Sequence, residues 1–387
     1  MHGGRGCGRV GGIGKRSTNM AFESGSMSFR MVALPRAFPK DWVEKFAEKR
    51  AGSLDASDLE ATSGWVTGRH LLDTNITEES ALHAGYVRLV WRTASRKVPG
   101  ALLKAECRME ELARMAADGV PFLKAKDRAE IRKEVKERLT PKMPPTIKAI
   151  PFVYQPGTHH LYATAMSDTL LDTLCGALRE ALGFGGTPDD PEPMAQRLKN
   201  VDLMDQAGVG FSKETADVAM EMMPGREFLT WLWFKTETQN GRVALSDGRA
   251  LDVLIEGPLT FAHEGNGAHL SVLKKGMPER SAEAKTCLKS GKKLKAATVT
   301  LALDEATQWR FQLDADTFGV RSLKVPQGEG PMDAVSRFQE RMIYLEQFRE
   351  IFCDLYGSFA ELRANGRKWK GELERIREWV PSRPGRR

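Results

Sequence analysis

Between residues 28 and 364 the chain alternates between two hydrophobic rhythms, a period of two and a period near 3.6, which mark strands and helices. Ser28–Leu34 alternates like a strand, and residues 39–49 then place Trp42, Val43, Phe46 and Ala47 on one helical face. Gly64–Gly68 and Gly85–Arg92 read as strands. Two helices are expected at 98–116 and 124–139, parted by Asp118-Gly119, then strands near 149–155 and 159–166 and a helix at 168–182. A turn-rich connector, Gly183–Pro193, and a short helical stretch lead into a region dense in strand signals: Arg226–Thr236, Arg242–Ser246, Leu251–Ile255 and His269–Leu273. Asn240-Gly241 there has the composition of a hairpin turn. A helix at 280–290 precedes strands at Lys295–Leu303, Gln308–Leu313 and Val320–Lys324. The last long helix, 332–364, spaces Phe338, Met342, Leu345, Phe348, Phe352 and Leu355 by three and four. Strands and helices come in blocks rather than in strict alternation, so the expected class is α+β with mixed or antiparallel sheets and long helices.

This pattern divides the chain into a leader, 1–26, an N-terminal α+β region, 27–183, a C-terminal α+β region, 184–362, and a basic tail, 363–387. The leader is rich in Gly, Arg and Ser without hydrophobic period, and reads as disordered or as an over-long start, with Met20 or Met27 as alternative initiators. It has no apolar core of a signal peptide. Gly11–Lys15 lacks both the earlier glycine and the following Ser or Thr of a phosphate loop. No apolar run approaches the roughly 18 residues of a membrane span. Five scattered cysteines, Cys7, Cys107, Cys175, Cys287 and Cys353, form no Cys-x-x-Cys pair, which argues against a disulfide framework or a zinc knuckle and suits a reducing, cytoplasmic setting.

Charge sharpens the picture. The net charge is +7, but residues 1–26 contribute +3 and residues 363–387 contribute +6, leaving the body at −2. Within that body, Lys274–Lys295 holds eight cations (Lys274, Lys275, Arg280, Lys285, Lys289, Lys292, Lys293, Lys295) against Glu279 and Glu283. Lys285 and Lys289 stand four apart and are expected to share a face of the 280–290 helix. Positive charge concentrated in an otherwise acidic body suits a polyanion, and lysines, as point charges, suit phosphates rather than base edges. A merely solvated lysine-rich face is the alternative. A second basic stretch, Lys124–Lys142, has eight cations against four acids, with Lys133–Glu137 and Glu134–Arg138 spaced to pair.

Catalytic patterns are sparse. His159 and His160 are adjacent and would face opposite sides of a strand; His263 and His269 lack a partnering carboxylate motif. Asp252 and Glu256 lack the lysine expected of a nuclease site, and Asp314-Ala-Asp316 reads as a turn. Trp231-Leu-Trp233 could stack bases, but a run apolar on both faces fits strand core better. No enzyme, cofactor or metal is expected.

Several stretches resemble the RdgC family of recombination-associated DNA-binding proteins. Gly64-Trp-Val-Thr-Gly68 is similar to an early Gly-Trp-Val strand of that family, and Lys97–Lys104 through Val135–Lys142 to its long central helices. The strongest likeness is Ser271-Val-Leu-Lys-Lys-Gly276 through Gly291-Lys-Lys-Leu-Lys-Ala-Ala-Thr-Val-Thr-Leu-Ala-Leu303, continued by Gln308–Leu313 and Ser322–Val325. The resemblance spans about 28–362. It implies an elongated subunit that pairs head-to-head and tail-to-tail into a ring homodimer around double-stranded DNA, nucleoid-associated and restraining RecA. It also implies that Lys274 and Lys275 match a lysine pair near the DNA, Lys292 a Gly-Lys lysine, and Lys142 a hinge arginine. The hinge departs from the family: Leu139-Thr-Pro-Lys-Met-Pro144 has proline where the family has phenylalanine, and the 226–270 region is longer. The expected DNA contacts are Lys142, Lys274, Lys275, Lys285, Lys289, Lys292 and Lys293; a nuclease with an unrecognised metal site and a protein-interaction scaffold are the alternatives.

Overall fold

The computed structural model describes residues 22–54, 61–263, 270–328 and 332–382. The chain runs β1 (Met27–Ala33), α1 (Trp42–Glu48), β2 (Thr62–Thr67), α2 (Glu78–Ala81), β3 (Leu82–His83), β4 (Tyr86–Arg96), α3 (Gly100–Asp118), α4 (Ala125–Leu139), β5 (Pro145–Gln155), β6 (His160–Ala163), α5 (Asp168–Leu182) and β7 (Thr187–Pro188). It continues through α6 (Pro191–Lys199), α7 (Pro224–Thr238), β8 (Arg242–Ala244), β9 (Ala250–Ala262), β10 (Leu270–Leu273), α8 (Ala282–Lys289), β11 (Lys293–Ala302), β12 (Gln308–Asp314), β13 (Gly319–Lys324), α9 (Ala334–Ala364) and α10 (Gly366–Trp379). The class is α+β.

The strands form one sheet in the order β10-β9-β11-β12-β13-β1-β6-β5-β4-β2, with β3 on β4, β7 on β1 and β8 on β9. Every strand pairing among the described residues is antiparallel. β1 joins the two halves: Met27 and Phe29 pair with Leu323 and Val320 of β13, whereas Arg30–Ala33 pair with β6. Its side chains divide likewise. Phe29 and Met31 enter a large core built mainly from residues beyond 190, and Val32 enters a second core under the N-terminal strands.

Helix ends follow local chemistry. Ser167 caps α5 by accepting from Leu170 N at 3.4 Å, and Gly183, at φ +81°, ends it in a left-handed turn that an L side chain adopts at a cost. α5 lays Leu171, Leu174, Leu178 and Leu182 on the N-terminal core. Asp333 caps α9, and the six residues spaced along that helix are all buried in the C-terminal core.

Four expectations fail. Arg226–Thr236 is not a strand but most of α7, in which every residue from Pro224 to Phe234 is buried. A helix covered on all sides shows no 3.6 period, and its aromatic content imitates a strand. Asn240-Gly241 accordingly turns α7 into β8 rather than closing a hairpin. The basic tail is largely helix: α10 buries Trp369, Glu372, Leu373, Ile376 and Trp379. Of the leader, residues 1–21 lie outside the described residues, but Phe22–Ser26 is packed, not disordered. Phe22 is buried, and Arg341 donates to the Phe22 carbonyl at 3.0 Å and the Gly25 carbonyl at 2.7 Å.

Candidate nucleic-acid interface

The cationic segment folds around one corner of the sheet. Among the described residues β10 pairs with β9 alone and so forms the edge of the sheet, and the chain leaves it through Lys274, Lys275 and Gly276, whose φ of +77° makes the turn. Ser281 then caps α8 by accepting from Ala284 N at 3.1 Å. After α8, Gly291 at φ +85° reverses the chain into β11, where a Cβ would lie 3.1 Å from Met220 Cε.

This corner sorts the eight cations into two classes. Lys274, Lys275, Arg280 and Lys289 are exposed, and none makes an ion pair among the described residues. Lys292 is half-buried and donates to Ser271 Oγ at 2.5 Å, tying the start of β11 to β10. Lys295 pairs with Asp316 at 2.8 Å.

Lys285 and Lys293 face inward, contrary to their expected place on DNA. The Lys285 ammonium donates to Glu237 Oε2 at 3.0 Å and lies 3.0 Å from the centre of the Trp379 ring. Burial pushes its pKa down to about 8, against the opposing pull of Glu237. Lys293 donates to Glu227 Oε1 at 2.9 Å, with both side chains essentially inaccessible. Moving Lys285 onto a phosphate would strip Glu237 of its ammonium partner, and moving Lys293 would leave the inaccessible Glu227 with Arg363 as its remaining cation, so each move costs a desolvated ion pair. Nor do Lys285 and Lys289 share an exposed face, since α8 buries Ala284, Lys285 and Leu288.

Lys142 is exposed in a 3-10 turn, Thr140–Lys142, between α4 and β5. The strand order sets β5 near the opposite end of the sheet from β10, so Lys142 does not join the corner cluster. Arg96 holds this turn by donating to the carbonyls of Pro141 and Met143, and reaches the Leu54 carbonyl at 2.9 Å. In the second basic stretch Lys133 pairs with Glu137 at 3.9 Å, but Arg138 pairs across the helices with Glu106 at 3.2 Å and Glu110 at 3.6 Å, not with Glu134. In the tail, Arg363 is buried, Arg375 pairs with Glu372 and Arg377 donates to the Gly210 carbonyl, leaving Arg367, Lys368 and Lys370 exposed.

The residues weighed for chemistry take structural places. Trp231 and Trp233 are buried in α7, and Trp231 Nε1 donates to Glu372 Oε1 at 3.0 Å. Asp316 does more than end a strand: burial works to raise its pKa, but Arg226 and Lys295 hold it below the ordinary value. Asp252 and Glu256 pair with Arg242 and Arg310. His160 sits between the Thr158 carbonyl and Asp189, while His269 lies outside the described residues. Among the described residues no three His, Cys, Asp or Glu side chains converge in a way that could hold a metal ion, and no helix is long and apolar enough to cross a membrane.

The partners of the buried lysines escaped the sequence reading. Glu237 and Glu227 stand 48 and 66 positions from Lys285 and Lys293, and no local signal joins them. No family model and no curated protein matches this chain.

Proposed function

We propose that the protein binds double-stranded DNA through its phosphate backbone, without strong sequence preference, and thereby limits access of recombination proteins such as RecA. The observation that carries this reading is the group of exposed, unpaired cations Lys274, Lys275, Arg280 and Lys289 around one corner of the sheet. Lys274, Lys275 and Lys289 present point charges to solvent and Arg280 a planar fork, and none makes an ion pair among the described residues that DNA would have to break. Lys292 sits at the base of this group, tied to Ser271. The place of the cluster coincides with the stretch most similar to the RdgC family, and the recombination role rests on that resemblance.

The same resemblance implies a homodimer, and α3 offers a surface for it. Leu102, Ala105, Met109, Leu112 and Ala116 follow one another at spacings of three, four, three and four, the a/d rhythm of a coiled-coil seam. All five are exposed, Leu102 at 36 %, Met109 at 66 % and Leu112 at 49 %, and no residue of α3 is buried. A second copy of α3 would cover that stripe.

The test is binding of a labelled duplex over a salt series. Each phosphate neutralised contributes about −0.9 to the slope of log affinity against log salt. Replacing Lys274, Lys275 and Lys289 by Glu is expected to weaken all duplex sequences alike and make the slope shallower by roughly 2.7. A flat salt response in the unaltered protein would overturn the backbone-binding reading. Unchanged binding by the triple variant would remove the corner as the site.

A further inference from the structure

The helical hairpin of α3 and α4 has two unlike seams. Its core is one row of Leu123, Ile131, Val135 and Leu139 packed against Leu103, Cys107 and Met115. At 100° per residue, Glu106 and Glu110 lie on one flank of the Leu103–Cys107 row, and Lys104 and Arg108 lie on the other. The first flank is closed by Arg138, which reaches across to both glutamates. The second opens into a groove of about 640 Å³, lined by Lys104, Arg108, Arg128 and Arg132 with Glu111 as its one acid. Ala125 and Ala129 line it too, so small side chains on α4 keep it open.

The groove gathers four cations where one carboxylate answers them. Glu111 pairs with Arg108 at 3.2 Å, while Lys104, Arg128 and Arg132 make no ion pair among the described residues. Like charges converging on a concavity repel one another and focus a positive potential into it, and an anion seated there relieves that repulsion. Three of the four are arginines, whose planar forks take two oxygens of one phosphate at once. A solvated helix face needs neither the concavity nor the transfer of the neighbouring acids to the opposite seam.

We propose that this groove is a second phosphate-binding site, which holds the phosphodiester backbone of DNA apart from the corner at β10 and α8. Its ligand rests on the duplex-binding reading above. Because α3 and α4 are inserted between β4 and β5, the two sites lie toward opposite ends of the strand order. A DNA segment engaged at both is held at two points along the subunit.

The test compares the full-length protein with Arg128→Gln/Arg132→Gln and with Lys274→Gln/Lys275→Gln on a labelled duplex over a salt series. Both arginines are exposed and glutamine is a good helix former, so unchanged circular dichroism controls for folding. The groove variant is expected to show a salt slope shallower by about 1.8, corresponding to two lost phosphate contacts. An unchanged slope in the groove variant, with a shallower one in the lysine variant, overturns the groove and leaves the duplex reading standing. If the unaltered protein fails to bind duplex, that reading falls, and calorimetric titration with tripolyphosphate decides the groove alone. Binding lost in the arginine variant supports the groove as a phosphate site; no binding by the unaltered protein overturns it.

Discussion

Glu227 shows what a single buried charge does in this protein. Its carboxylate is inaccessible and takes hydrogen bonds from Lys293 at 2.9 Å, Arg363 at 2.7 Å and Val209 N at 3.1 Å. It thereby links α7, β11, α9 and the loop before α7. Arg363 extends the link to Gln206 Oε1 and the Ala207 carbonyl, and lies over the Trp369 ring. Glu227→Gln leaves two cations buried with a neutral partner, and is expected to cost on the order of 3 kcal/mol in urea unfolding. A loss below about 1 kcal/mol, the worth of one ordinary hydrogen bond, would show that the cluster relaxes around the change. Lys285 gives a pH-dependent counterpart. Its folded pKa, about 8, lies below the ordinary value of 10.5, so between these the unfolded chain binds more protons and stability rises with pH. Unfolding free energies measured at several pH values should show the wild type gaining on Lys285→Met across that window. The opposite slope would mean that Glu237 and the indole of Trp379 favour the ammonium more strongly than burial disfavours it.

At the scale of elements, the α3 stripe makes the proposed dimer testable. Met109→Lys with Leu112→Lys puts two ammonium groups into the a/d seam but touches no buried side chain, so the subunit should fold and light scattering should give the mass of a monomer. Persistence of a dimer would move the interface elsewhere. The heptad spacing of this stripe is present in the sequence, but only the structure distinguishes it from a core-facing row, because the period alone does not say which face is covered. α5 was legible to its ends because Ser167 and Gly183 write its caps and its apolar face follows the helical period. α7 was not. It is covered on every side, by Phe318, Tyr356 and Phe359 around Phe228, by Trp379 beside Trp233 and by Lys293 and Arg363 on Glu227, and this erases the period from which a helix is read. The concentration of cations at this corner is readable from charge alone, whereas the inward turn of Lys285 and Lys293 depends on α7 and α10, which the sequence analysis reads as a strand and a tail.

For the whole molecule, β1 decides whether the two halves of the sheet stand or fall together. It belongs by sequence to the N-terminal half, yet Phe29 packs edge-on against Tyr162 of β6, with ring centres 5.5 Å apart, and against Phe348 of α9 at 6.4 Å. Three residues later in the same strand, Val32 faces the other core. Arg30, between them, is inaccessible and donates to Asp168 at the start of α5 and to Asp190 just before α6, both at 2.6 Å. A strand fixed this way on both sides cannot detach from one half without disturbing the other. Phe29→Ala removes a buried ring, and is expected to cost about 3–5 kcal/mol. The informative reading is where that loss is felt. Hydrogen exchange in native conditions should show amides of the β4–β5 pair and of the β11–β12 pair losing protection by the same amount, because both open in one cooperative step. Loss confined to β11 and β12 would make the halves separate folding units that β1 merely touches.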